Sequence, residues 1–168
     1  MTRGFARILV PTDFSPPSEA ALATARAMAA RFGASIHLVH IVEDPYTTVA
    51  FATEAYGFMP QGVKETWERE AQAHLESQLT AADRTAYRAT TRVIFGPIAQ
   101  TIVDHAREYD MDLIVMGTHG RGGVAHLLLG SVAERVVRTA MCPVLTVRGT
   151  VTAPAAADKE VEAVPVAV

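Results

Sequence analysis

Asp112-Leu113-Ile114-Val115-Met116-Gly117-Thr118-His119-Gly120-Arg121-Gly122-Gly123 is the stretch on which the fold turns. Leu113–Met116 is a short continuous apolar run, the pattern of a strand buried on both faces of a parallel sheet. It breaks at once into glycines. After Val124–Leu129 the chain reaches Gly130-Ser131-Val132-Ala133-Glu134. This reads as a helix start, with Ser131 as N-cap and Glu134 closing a capping box. The glycines let the backbone take positive φ and approach a ligand, so successive N–H groups can converge on an anion. The helix start adds free amides and the positive end of its dipole. Arg121 adds a cation, and the whole segment is a candidate phosphate cradle.

Outward from this stretch, the chain alternates apolar runs with amphipathic ones. Ala6–Val10 predicts a buried strand ending at Pro11-Thr12-Asp13. Ser15-Pro16-Pro17 predicts a helix start, with Ser15 as N-cap and Pro16 in the first turn. Leu22, Ala25, Ala29 and Phe32 share one face of that helix, and Gly33 is its stop signal. Ser35–Val42 is a second strand. Glu43–Gly62 has no clean period, and an irregular segment of that length reads as a lid or binding loop. A helix resumes at Val63, where Trp67, Ala71, Leu75 and Leu79 follow at intervals of four on an expected core face. Tyr87–Phe95 alternates as a half-exposed edge strand. Gly96-Pro97 opens a helix that turns Ile98, Ile102, Ala106 and Tyr109 inward. Val132, Val136 and Ala140 give the helix after the glycine loop its apolar face, and Pro143–Val147 is the last strand.

Strands separated by helices imply right-handed βαβ crossovers and a Rossmann-like open five-stranded parallel α/β sheet with helices on both faces. Ligands bind such sheets outside the carboxyl ends of the strands, where the strand order reverses. Strand order 3-2-1-4-5 brings Pro11-Thr12-Asp13 and the glycine loop to one crevice, and that convergence favours it. Residues 1–148 form the expected domain and 149–168 a flexible tail of Ala, Val, Pro and Thr.

Composition narrows the function classes. With 168 residues, 49% hydrophobic and 20% charged, the chain can bury a core and is not disordered throughout. A net charge of −3 provides no basic field, so no nucleic-acid partner is expected. The lone Cys142 rules out an internal disulfide and suits a reducing compartment. Ile8-Leu9-Val10 is too short for a signal peptide and no run is long enough for a membrane span, so a cytoplasmic location is expected. His37 and His40 lie three apart on a strand and face opposite sides, and His74, His105 and His126 have no partners at metal-ligand spacing. Cys142 reads as a small core hydrophobe.

The glycine loop is not a Walker motif, because no Gly-Lys-Ser/Thr occurs and the lysines are Lys64 and Lys159. Gly120-Arg121-Gly122-Gly123-Val124-Ala125 fits the dinucleotide fingerprint superficially. It follows the fourth strand rather than the first, and no acidic residue stands about 20 positions on. The spacing Gly117, Gly120, Gly130-Ser131 instead resembles the ATP-binding signature of the universal stress protein family. Ile8-Leu9-Val10-Pro11-Thr12-Asp13-Phe14-Ser15 resembles that family's opening strand. Asp112–Gly120 and Cys142–Val147 resemble its later strands, so the resemblance spans most of residues 5–148.

The resemblance implies an ATP-binding stress-response protein that acts as a nucleotide-dependent switch. It places adenine against Asp13 and the backbone at Ile41. It lines the adenosine pocket with Pro11, Thr12, Met116 and Gly117. It surrounds the phosphates with His119, Gly120, Arg121, Gly130, Ser131 and Val132, with Mg2+ or Mn2+ bridging phosphate oxygens and no metal ligand from the protein. It also implies a homodimer through the last strand, which as an exposed edge is suited to pair with a second copy. ADP, AMP or a cyclic nucleotide would satisfy the same chemistry. Two alternatives stand beside this one: a slow ATP hydrolase or phosphoryl-transfer protein, and a nucleotide-free interaction module. No catalytic residue is assigned, since only His119 lies where a base could position an attacking water.

Overall fold

Five parallel strands in the order β3-β2-β1-β4-β5 make one sheet in the computed structural model, which describes residues 4–43, 61–118 and 129–149. The elements run β1 (Arg7–Pro11), α1 (Pro16–Phe32), β2 (Ser35–Val42), α2 (Gln61–Ser77), α3 (Ala81–Ala86), β3 (Thr90–Phe95), α4 (Ile98–Glu108), β4 (Leu113–Gly117), α5 (Ser131–Thr139) and β5 (Val144–Val147). The expected fold class and strand order are those observed. Residues 44–60 of the irregular loop, residues 119–128 of the glycine loop and residues 150–168 of the tail lie outside the described residues.

Alternation along the strands sends side chains to two cores. Ile8 and Val10 of β1, Ile36 and Leu38 of β2, and Leu113 and Val115 of β4 pack on one face, against α1 and Leu75 of α2. Leu9, Val39, Ile41, Ile114 and Met116 pack on the other, against Ile102 and Ala106 of α4 and Ala133 and Val136 of α5. The central strands are apolar in both registers because both faces are covered. Cys142 packs at the margin of the second core, and burial pushes its thiol pKa up, as suits a small hydrophobe.

Local signals explain the ends of α1. Ser15 is extended at the N-cap, and Pro16 and Pro17 open the helix. Gly33 closes it at φ 68°, a left-handed conformation that glycine takes without a β-carbon clash, and donates to Ala29 O. Three expectations need correction. Phe32 is 48% exposed, edge-on to Phe5 rather than in the core. Trp67 is 41% exposed, because α2 crosses the sheet margin at β3 and only its C-terminal half, at Leu75, enters the core. The third concerns Ser131, which is the first residue of α5; Gly130 is the N-cap, with no side-chain cap bond. The Gly130 N–H is held by the Thr118 carbonyl at 2.7 Å, which fixes the helix start one residue earlier. Glu134 lies 3.7 Å from Arg138 instead of closing a capping box.

The second core carries a pH dependence. His105 of α4 is buried and stacks on Tyr109, with ring centroids 4.3 Å apart. Burial, then the nearby Arg92 and His37, hold its pKa below the ordinary imidazole value, with Glu108 opposing. Burial, then Arg7, do the same for His37 of β2. Unfolding releases both to the higher value, so the unfolded chain binds more protons in acid. Their contribution is complete above the unfolded value of roughly 6.5 and is lost as pH falls below it. The urea midpoint is expected to fall between pH 7.5 and 5, and to fall less in His105→Phe, which keeps the stack. An equal fall in both proteins would rule out a contribution from His105.

Candidate functional site

Proline opens the crevice. Backbone amides point alternately to the two neighbours of a strand. The Thr12 N–H donates to Val39 O of β2 at 2.8 Å. Pro11 therefore faces β4, where it has no N–H to give. The β1–β4 register runs Ile8↔Leu113 and Leu9↔Ile114 and stops there. Beyond it, β1 continues to Pro11 and β4 to Gly117. The chain leaves β1 for α1 on one face and reaches α5 from β4 on the other. This is the switch point at which open α/β sheets bind ligands.

The turn after β1 is tied by its own side chains. Thr12 is buried, and its hydroxyl accepts the Phe14 N–H and shares a hydrogen bond with Ser18 Oγ, both at 3.0 Å. Ser18 Oγ donates to Ser15 O at 2.8 Å. Asp13 Oδ1 accepts from Ser15 N at 3.2 Å and from Ser15 Oγ at 2.5 Å. Asp13 thus does help order the helix entrance, while staying only partly buried.

Across the crevice, a β-carbon on Gly117 would meet Pro17 Cβ at 2.9 Å and its carbonyl carbon at 3.0 Å. Glycine is required there for α1 to approach β4 this closely. Thr118 N–H donates to Val147 O at 2.9 Å, and Thr118 O receives Gly130 N–H. The start of α5 is thereby fastened to the end of β4. Ile41 lies where β2 runs on past its last pair with β1, Pro11↔Val39, while still paired to Ile94 of β3. Met116 is buried in the second core.

The two helix N-termini at the crevice differ in charge. α1 begins with two prolines, which remove two amide donors, and has the Asp13 carboxylate beside its entrance. α5 begins at a glycine without a side-chain cap, so the amides of Ser131, Val132 and Ala133 have no intrahelical acceptor. An anionic group is favoured at α5 and disfavoured near Asp13.

Of the residues singled out from sequence, Pro11, Thr12, Asp13, Gly117, Gly130, Ser131 and Val132 belong to the ends of β1 and β4 and the start of α5. His119, Gly120 and Arg121 lie outside the described residues. Among the described residues, no cluster of three His, Cys, Asp or Glu side chains could hold a metal ion, and no helix is long and apolar enough to cross a membrane. Sequence reasoning passed over Phe14, at φ 63°, and the His40 ring against Thr12 O at 2.8 Å. Only the adjacency of Phe14 to Asp13 could have drawn attention to them.

Residues 4–148 match the model of the universal stress protein family. The universal stress protein MJ0531 of Methanocaldococcus jannaschii is 34% identical over 145 residues, covering 86% of this chain and 82% of its own. The structure of MJ0577 from the same organism superposes with a TM-score of 0.74 at 26% identity, over 89% of this chain and all of that one. A universal stress protein solved in complex with cAMP superposes at 0.56 with 25% identity, over 88% of this chain and 100% of that one.

Proposed function

The chain belongs to the universal stress protein family, and from that premise we propose that it binds an adenine nucleotide, ATP in the first instance, and acts as a nucleotide-dependent switch in the stress response. The observation that carries this reading is the early end of the β1–β4 register at Leu9↔Ile114, between strand ends that lead to opposite faces. The cAMP complex of a family member supports the adenine class.

The asymmetry of charge supports one orientation. Adenine lies toward Asp13 and the Ile41 backbone, since a carboxylate there opposes phosphate. Pro11, Thr12, Met116 and Gly117 flank the adenosine. The phosphates lie at Gly130, Ser131 and Val132, joined by His119, Gly120 and Arg121. A divalent ion, Mg2+ or Mn2+, would supply neutralisation of the phosphate charge there. Nucleotide orders the crevice by binding one state of it better than another, which is what a switch requires.

The same reading includes a homodimer. β5 pairs with β4 at one margin of the sheet, and Leu145 and Met141 beside it are 37% and 86% exposed. An apolar edge strand of this kind is suited to pair with its copy. The lone Cys142 suits the reducing cytoplasm.

Native mass spectrometry of freshly purified protein, followed by denaturation and analysis of released small molecules, tests both parts. Two chains carrying ATP or AMP are expected. Released ADP alone would favour a slow hydrolase. Nucleotide-free protein that also fails to take up added ATP would overturn the proposal in favour of an interaction module.

A further inference from the structure

Phe14 sits in the turn next to Thr12 and Asp13 at φ 63°, in the left-handed region that a residue with a β-carbon enters only under constraint. Such strain persists when the surroundings hold it. Here the constraints are visible. The Phe14 N–H is bonded to Thr12 Oγ1 at 3.0 Å. Its ring lies parallel to that of His74 on α2, with centroids 4.0 Å apart and planes 8° apart. On β2, the His40 ring stands 4.5 Å from it. His40 Nδ1 is 2.8 Å from the Thr12 carbonyl; that oxygen can only accept, so Nδ1 carries the proton.

Three rings thus join α2, the β1–α1 turn and β2, and the arrangement closes on Thr12 at both its hydroxyl and its carbonyl. Glycine would serve the backbone conformation with less strain. What glycine lacks is the ring, and the ring is what reaches α2. Residues 64–70 of α2 are exposed, and Trp67, the one tryptophan of the chain, is among them.

We infer that Phe14 is a positioning residue that couples the docking of α2 to the nucleotide crevice. This rests on the nucleotide reading and extends it. The ring holds Thr12 and Asp13 in place for the base, and α2 holds the ring. Coupling between two sites is reciprocal, so nucleotide must in turn hold α2 against the sheet. α2 is then the element through which occupancy of the crevice is displayed on the outer surface.

The test compares wild type, Phe14→Gly, which keeps the backbone and deletes the ring, and Phe14→Tyr, which restores a ring. Hydrogen exchange across residues 68–77 is followed with and without ATP and magnesium, and ATP affinity is measured by calorimetry. In wild type, ATP is expected to slow exchange in this part of α2 by about fivefold or more, the lower end of ordinary allosteric coupling. Phe14→Gly is expected to bind ATP about fivefold more weakly and to lose the response of α2. Phe14→Tyr is expected to recover both. A purely structural role would lower stability without abolishing the α2 response or being rescued in affinity. Unchanged affinity in Phe14→Gly, or an α2 that responds to ATP as in wild type, overturns the inference while leaving the nucleotide reading intact. A wild type that binds no ATP overturns both.

Discussion

Saturating ATP with magnesium is expected to raise the melting temperature of the wild type by roughly 5–10 °C, and the double variant Asp13→Ala, Gly130→Val to remove the rise. A ligand present at 100 times its dissociation constant adds about 2.7 kcal/mol to stability. Each kcal/mol moves the melting point of a chain this size by roughly 2–4 °C. The two substitutions act at opposite ends of the crevice. Asp13→Ala removes the carboxylate assigned to the base and the acceptor of two bonds from Ser15. Gly130→Val acts at the start of α5. Gly130 has φ −72° and ψ 158°, extended backbone that valine also adopts without strain. Its cost as an N-cap is about 1 kcal/mol. The branched side chain stands instead where phosphate would meet the amides of Ser131 and Val132. Differential scanning fluorimetry on nucleotide-free protein reads the outcome. A double variant that still gains the full shift would show that the ligand binds elsewhere.

The architecture was legible where one residue type admits one conformation. Gly33 could close α1 because the left-handed position there excludes most side chains, and Pro16-Pro17 could only open it. Ser35–Val42 was readable to its last residue because Ile36 and Leu38 supply one covered face and Val39 and Ile41 the other. Legibility failed where placement depends on a distant partner. Gly130 became the N-cap of α5 because Thr118 O holds its N–H, a contact that no local pattern contains. Trp67 follows the spacing of a core face, yet α2 overhangs the sheet at that point. The capping box at Thr80 and Asp83 was present as a local signal that the reading passed over, and it opens the short helix α3. Among the site residues, the proline and glycines announced themselves by type. The role of Pro11 in ending the β1–β4 ladder needed the strand order first, and the constraint on Phe14 needed the positions of α2 and β2.

Asp83→Ala is expected to lower the melting temperature by roughly 5–10 °C while leaving ATP affinity unchanged, the reverse of the crevice variants. Asp83 joins three parts of the chain. Its two oxygens accept from Arg26 Nε at 2.9 Å and Arg26 Nη2 at 2.8 Å, a bidentate pair between α1 and α3. Oδ2 also accepts from Thr80 N at 2.8 Å and Thr80 Oγ1 at 2.9 Å. Arg26 donates further to Gln78 O at 2.8 Å. The Asp83 side chain is 6% exposed. Breaking a fully buried pair costs about 3–5 kcal/mol. Arg26 keeps some access to water, which places the loss below that of a fully buried pair, at about 2–3 kcal/mol. The Arg26 guanidinium, with the Thr80 bonds, holds the Asp83 pKa down at about 2 against the opposing effect of burial. A depressed carboxylate pKa contributes stability above its unfolded value of roughly 3.9, and that contribution is lost as pH falls toward 2. Asp83→Asn therefore flattens the acid limb of the stability profile below pH 4, where the wild type declines. The site lies at the opposite end of the sheet from the crevice: Ala89 N–H, just before β3, donates to Asp83 O, and Tyr87 O accepts from Ile36 near the start of β2. The proposed nucleotide site lies at the carboxyl ends of the strands, and this pair fastens helices at the amino ends. A change in ATP affinity in Asp83→Ala comparable to that in Asp13→Ala would mean that the two ends are not energetically separate.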